Sequence, residues 1–115
     1  MLIKSQQWDV VWRNYVHEKF QNEDGRAAAR KRALALELGK KNEPVPIKNI
    51  SDMSPKIAKL YAKKTLRTVR RDVLDLELLE IAEHKREGVR AKKEIILAFL
   101  PPKTNVNYAD QLALL

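Results

Sequence analysis

Apolar residues recur at helical spacing from the beginning of the chain. Trp8, Val11, Trp12, Tyr15 and the pair Lys19/Phe20 fall at i, i+3, i+4, i+7 and i+11/12. That draws one apolar stripe and predicts a helix from about Ser5 to Phe20, with Ser5 as its N-cap. Two tryptophans and a tyrosine on one face carry a large apolar area. Trp8, Trp12 and Tyr15 therefore suit either a core or a dimer interface. Asp24-Gly25 is a turn signal. Arg26 to Leu38 is rich in alanine, leucine and arginine, and Gly39 follows where a C-terminal cap belongs, so a second helix is predicted there. Ala27, Leu34 and Leu38 mark its inner side. Arg26, Arg30, Lys31 and Arg32 form a basic front, fit for phosphate contacts or for a solvated face. Pro44 and Pro46 then break the pattern. Lys40 to Ile47 reads as a connector, with a short strand near Val45 to Lys48.

The second half opens on Ser54-Pro55, a capping hydroxyl followed by proline at the first helical position. Ile57, Ala58, Leu60 and Tyr61 predict a short helix ending near Ala62. Lys63-Lys64 is a turn, and Thr65 caps a further helix with Leu66, Val69, Val73 and Leu76 as its buried stripe. Two short helices joined by a tight turn form a helix-turn-helix. Leu79 to His84 alternates as a strand, Lys85 to Gly88 turns, and Val89 to Lys92 returns as a second strand. Glu94 to Leu100 is an apolar closing segment, helix or strand, ended by Pro101-Pro102. The fold class expected is mainly α with a small β-hairpin.

Composition narrows the function. With 115 residues, 44% of them hydrophobic, the chain can build one modest core. A formal net charge of +8 and a pI near 9.8 favour polyanionic partners. There is no cysteine, and His17 and His84 stand far apart, so thiolate zinc sites are excluded and no metal or cofactor is expected. Gly25, Gly39 and Gly88 are isolated, which rules out a glycine-rich phosphate loop. The acids between Asp72 and Glu87 suit a solvated or subunit-contacting face better than paired catalytic carboxylates, so no enzyme is expected. No signal-peptide run and no window of about 18 apolar residues is present, which points to a cytoplasmic, nucleoid-associated protein.

The distribution of charge says more than its sum. From Pro55 through Arg71 there are seven bases (Lys56, Lys59, Lys63, Lys64, Arg67, Arg70, Arg71) and no acid. From Asp72 through Glu83 there are five acids (Asp72, Asp75, Glu77, Glu80, Glu83) and no base. A helix that is basic at its start and acidic at its end opposes its own macrodipole. A polyanion facing the basic half gives a reason for that order.

The run Thr65-Leu-Arg-Thr-Val-Arg-Arg-Asp-Val-Leu-Asp-Leu-Glu-Leu-Leu-Glu-Ile-Ala-Glu83 resembles the recognition helix and first wing strand of winged-helix bacterial regulators, the DeoR-type repressors above all. The resemblance covers about 46 of the 115 residues. It departs from the pattern in a turn one residue longer, at Ala62-Lys63-Lys64, and in Glu80, which stands where glycine is common. It implies that Thr65, Arg67, Thr68 and Arg71 face DNA while Val69, Val73 and Leu76 are core. With Lys63, Lys64 and Arg70, and with Lys85, Arg86, Arg90 and Lys92 on the hairpin, these form the expected DNA-binding set. Lys93 adds to the basic hairpin, opposed there by Glu87.

The division expected is N-terminal helices over 1–43, a winged helix-turn-helix over 44–103 and a tail over 104–115. The function expected is sequence-specific binding of double-stranded DNA as a homodimer. A transcriptional regulator, or a plasmid or phage partition or replication-control factor, would act in this way. A winged-helix protein-interaction module and an RNA- or ribosome-associated basic protein are the alternatives.

Overall fold

The computed structural model describes residues 5–99, so the tail at 104–115 and the Pro101-Pro102 stop lie outside the described residues. Helix α1 spans Ser5–Lys19 and α2 spans Arg26–Leu38. The stripe read from α1 points inward: Trp12, Tyr15, Val16 and Phe20 are buried, and Trp8 and Val11 pack against the same core. The Trp12 indole donates its Nε1–H to the Ala35 carbonyl at 3.1 Å, which satisfies its one polar atom inside the core. Helix α2 buries Ala28, Ala33, Leu34, Ala35 and Leu38. Ala27, expected on the inner side, is exposed, because the helix is turned so that its neighbour Ala28 meets the core.

Gly39 follows α2 but does not enter the left-handed region; its φ is −64°. Its need for glycine is steric instead. A Cβ there would run into the Trp12 indole, so the residue is fixed by the packing of α1 on the end of α2.

At the end of the connector a short 3-10 segment begins, Ile47–Asp52, with Ile50 fully buried. The strand expected near Val45 to Lys48 reduces to one residue. Val45 exchanges both backbone hydrogen bonds with Val89, each at 2.8 Å. Pro44 and Pro46 on either side have no N–H to extend the pairing.

Helix α3 runs over Pro55–Leu60, and the Ser54 hydroxyl accepts the Ile57 N–H at 3.2 Å, the expected N-cap with proline at the first position. Helix α4 runs over Leu66–Leu78, with Val69, Val73 and Leu76 buried. Leu66, read as part of that stripe, is 44% exposed. The fourth buried position of α4 belongs to an acid, Asp72.

Strands β1 (Ala82–Lys85) and β2 (Gly88–Ala91) form an antiparallel hairpin, pairing Ala82 with Ala91 and Lys85 with Gly88. The first strand begins later than Leu79 because α4 must first be closed. Ile81 N–H bonds to the Leu76 carbonyl at 2.9 Å and Glu80 N–H to the Glu77 carbonyl at 3.0 Å. This is a Schellman closure, with Leu76 and Ile81 as its buried apolar pair. It places Glu80 at φ 66°, the one non-glycine residue with positive φ among the described residues. Glycine is common there for that reason. The Tyr15 hydroxyl donates to the Glu80 carbonyl at 2.7 Å, so α1 holds the corner between α4 and the hairpin. Gly88 has φ 140°, and a Cβ on it would lie 2.6 Å from the Val45 carbonyl carbon. The closing segment, Lys93–Phe99, is 3-10 and buries Ile96.

Candidate nucleic-acid interface

The opposition of bases and acids seen in the sequence resolves into two different environments. Every acid from Asp72 to Glu83 has a partner within the chain. Asp72 lies on the core side of α4, since it falls three residues after Val69 and beside Val73. Its side chain is 2% exposed. Arg30 of α2 reaches it with two hydrogen bonds, Nε to Oδ2 at 2.6 Å and Nη2 to Oδ1 at 3.0 Å. The Tyr61 hydroxyl, at the end of α3, donates to the same Oδ2 at 2.6 Å. The Arg30 guanidinium also lies over the Tyr61 ring, 5.6 Å from its centroid. Hydrogen bonding to Asp72 raises the Arg30 pKa, and burial followed by the hydrogen bond to Asp72 pushes the Tyr61 hydroxyl up. Three helices meet at this one carboxylate.

The remaining acids are matched nearer the surface. Lys31 pairs with Asp75 at 3.0 Å, and Glu77 accepts the His84 backbone N–H at 3.0 Å. Glu80 pairs with Lys92 at 3.4 Å, while Glu83 meets Lys85 at 3.1 Å and Arg90 at 2.9 Å. Arg30 and Lys31 are therefore neither a solvated front nor phosphate ligands; both are half-buried against α4. The acid half of α4 is explained by α2 and by the hairpin.

The basic half is not. Lys56, Lys59, Lys63, Lys64, Arg67, Arg70 and Arg71 are all exposed, and none forms an ion pair or side-chain hydrogen bond among the described residues. Lys63 and Lys64 occupy the turn between α3 and α4, which runs from Tyr61 through Lys64 to the N-cap Thr65. Thr65 is exposed and makes no side-chain capping bond, so the first N–H groups of α4 have no partner from that hydroxyl. Thr68 is half-buried. A positive helix end with open N–H donors, beside two lysines and three arginines, suits anionic oxygen.

The hairpin contributes less than its composition promises. Arg90 is engaged by Glu94 at 2.7 Å as well as by Glu83, and it also donates to the Ala91 carbonyl at 3.2 Å. The hydrogen bond and charge of Arg90 hold the Glu94 carboxyl below its usual range. Lys85 and Arg90 together do the same for Glu83. Lys93 donates to the carbonyls of Gly39 and Lys41 at 3.1 and 3.2 Å, away from the hairpin. Of Lys85, Arg86, Arg90 and Lys92, only Arg86 at the loop is without an intrachain partner among the described residues.

The aromatic residues also read as a pairing surface are spent inside the chain. Trp12 is 4% and Tyr15 9% exposed, with their ring centroids 5.6 Å apart, and Trp8 is half-buried against the same core. The sequence reading missed the buried Asp72 with its partners Arg30 and Tyr61. The available signal was an acid on the same helical face as Val69, Val73 and Leu76, which requires a buried cation.

Among the described residues no group of three or more metal-ligating side chains exists, and no helix is long and apolar enough to cross a membrane. No protein-family model, curated protein or solved structure matches the chain.

Proposed function

We propose that this chain is a sequence-specific double-stranded DNA-binding protein of the winged helix-turn-helix type, with α4 as its recognition helix. The observation that carries the reading is the asymmetry of α4: its acids are consumed within the fold, and its bases, with those of α3 and the turn, are all left to solvent. An arginine cluster with no internal partner raises self-repulsion in the free protein, which an external polyanion relieves. Order along the chain agrees, with a single bridged residue, a 3-10 turn, two helices and a hairpin in succession.

In this reading the first turns of α4 enter the major groove. Arg67 and Arg71 take guanine edges, Thr68 takes a phosphate or a thymine methyl, and Lys63, Lys64 and Arg70 hold phosphates. The uncapped N–H groups of α4 suit a further phosphate. Arg86 touches the backbone from the hairpin loop. One such module spans few base pairs, so two copies bind a two-fold site. Control of transcription, or of plasmid or phage partition or replication, is the process such binding serves.

Fluorescence anisotropy with labelled random duplex over a salt series tests this. Wild type binds duplex tightly at low salt, and Arg67→Ala/Arg71→Ala lowers affinity strongly. Lys63→Ala/Lys64→Ala flattens the salt dependence, by about 0.9 in slope for each phosphate no longer neutralised. Equal binding by wild type and the Arg67/Arg71 double variant refutes the groove-reading role.

A further inference from the structure

The exposed side of α4 is not basic throughout. Arg67, Arg71, Leu74 and Leu78 fall at i, i+4, i+7 and i+11, which places them on one stripe opposite Val69, Val73 and Leu76. Leu74 is 53% and Leu78 74% exposed. The core side of the helix is already filled by Val69, Val73 and Leu76, and neither leucine belongs to the buried core.

We propose that Leu74 is an apolar base-reading residue that contacts the C5-methyl group of a thymine in the major groove. The inference rests on the DNA-binding reading above and adds to it a chemical preference. Two observations favour this occupant over a second copy of the chain. On its N-terminal side Leu74 is bordered by Arg70 and Arg71, with Arg67 one turn further, all exposed and without intrachain partners, so whatever covers Leu74 from that side must also accept a row of cations; Asp75 and Glu77 on the other side are engaged by Lys31 and the His84 N–H. Duplex DNA does so. A stable protein interface needs about 800 Å² per partner, and two leucines supply a small part of that.

The spacing along the helix fits as well. At 1.5 Å per residue, Leu74 lies about 4.5 Å along α4 from Arg71 and on the same face, near enough for the two side chains to meet neighbouring bases. An arginine reading guanine is thereby followed by a leucine over the neighbouring base. Thymine alone among the four DNA bases presents a methyl group in the major groove, and an aliphatic side chain takes that group without needing a hydrogen bond.

The experiment has two stages. Selection from a random duplex library with the full chain yields a preferred site. Each thymine in that site is then replaced by uracil, which removes only the methyl group, and affinities are measured by anisotropy for wild type, Leu74→Ala and Leu74→Met. Wild type loses about fourfold at one thymine, the worth of one buried methyl-sized group (about 0.8 kcal/mol). Leu74→Ala is indifferent to that replacement, and Leu74→Met keeps the sensitivity. Circular dichroism shows the helix content unchanged, since Leu74 is not packed in the core. If no sequence is selected, the DNA-reading proposal itself fails. If a site is selected but wild type ignores every uracil, or Leu74→Ala responds as wild type does, only the Leu74 assignment is overturned. A shift from dimer to monomer on Leu74→Ala, seen by sedimentation with uracil sensitivity unchanged, likewise overturns it in favour of a second copy.

Discussion

Replacing Arg30 by alanine removes both hydrogen bonds to Asp72 and leaves a carboxylate that is 2% exposed with the Tyr61 hydroxyl as its one remaining partner. Removing one partner of a buried pair costs about 3–5 kcal/mol, because the remaining charge is neither solvated nor paired. Against a total stability of roughly 5–15 kcal/mol, that brings the chain close to unfolding. At about 4 °C per kcal/mol for a domain of this size, Tm falls by roughly 12–20 °C. Urea titrations followed by the fluorescence of Trp8 and Trp12 measure the loss, provided the slope stays constant. Combining Arg30→Met and Asp72→Leu with Tyr61→Phe removes both charges and the hydroxyl that Asp72 accepts from, and returns stability to within about 1 kcal/mol of wild type. Lys31→Ala is the control: Asp75 is 36% exposed in its side chain, and a pair of that kind is worth about 1 kcal/mol or less. A loss below about 1 kcal/mol on Arg30→Ala refutes the role given to Asp72. So does a triple variant as unstable as Arg30→Ala alone.

Glu80→Gly stabilises the chain by about 0.5–1 kcal/mol, since relief of a left-handed backbone (about 1–2 kcal/mol) exceeds the chain entropy that glycine adds. Thermal unfolding checks it, and an unchanged or lower Tm contradicts the strain argument. Gly39→Ala costs about 1–3 kcal/mol by driving a methyl group into the Trp12 indole, and shifts tryptophan emission as the ring is displaced. At alkaline pH the sign follows from Tyr61, whose pKa is raised above its ordinary value of 10.0. The folded state holds that proton more tightly, so this contribution is complete below about pH 10 and is lost progressively above it. Tyr61→Phe flattens the decline, read from urea midpoints between neutral and alkaline pH, although Tyr15, also raised, keeps part of it. Arg90→Ala raises the pKa of Glu94 and Glu83 toward ordinary carboxylate values, visible in NMR titration of their side-chain carbons.

Helices α1, α2 and α4 were legible because apolar periodicity and the alanine-leucine run act within a few residues of themselves. Ser54-Pro55 marked the start of α3 in the same local way. The hairpin was legible from Lys85 to Gly88 and the alternation around it. Glu80 already marked the corner after α4 as unusual, and the cause is its left-handed backbone at a Schellman closure. The 3-10 segment at Ile47–Asp52 was not legible, since its one fully buried side chain, Ile50, sets no period.

Residue order alone establishes that bases precede acids across α3, α4 and the start of the hairpin, and that this order opposes the macrodipole of α4. What balances those charges is a matter of long-range packing. Arg30 is 42 residues from Asp72 and Lys31 is 44 from Asp75 along the chain. No local pattern links them, because ion pairing depends on which helix faces pack. Once the acids are matched by α2 and by the hairpin, the seven bases of α3, the turn and the first half of α4 form the longest run of cations without a counterion among the described residues.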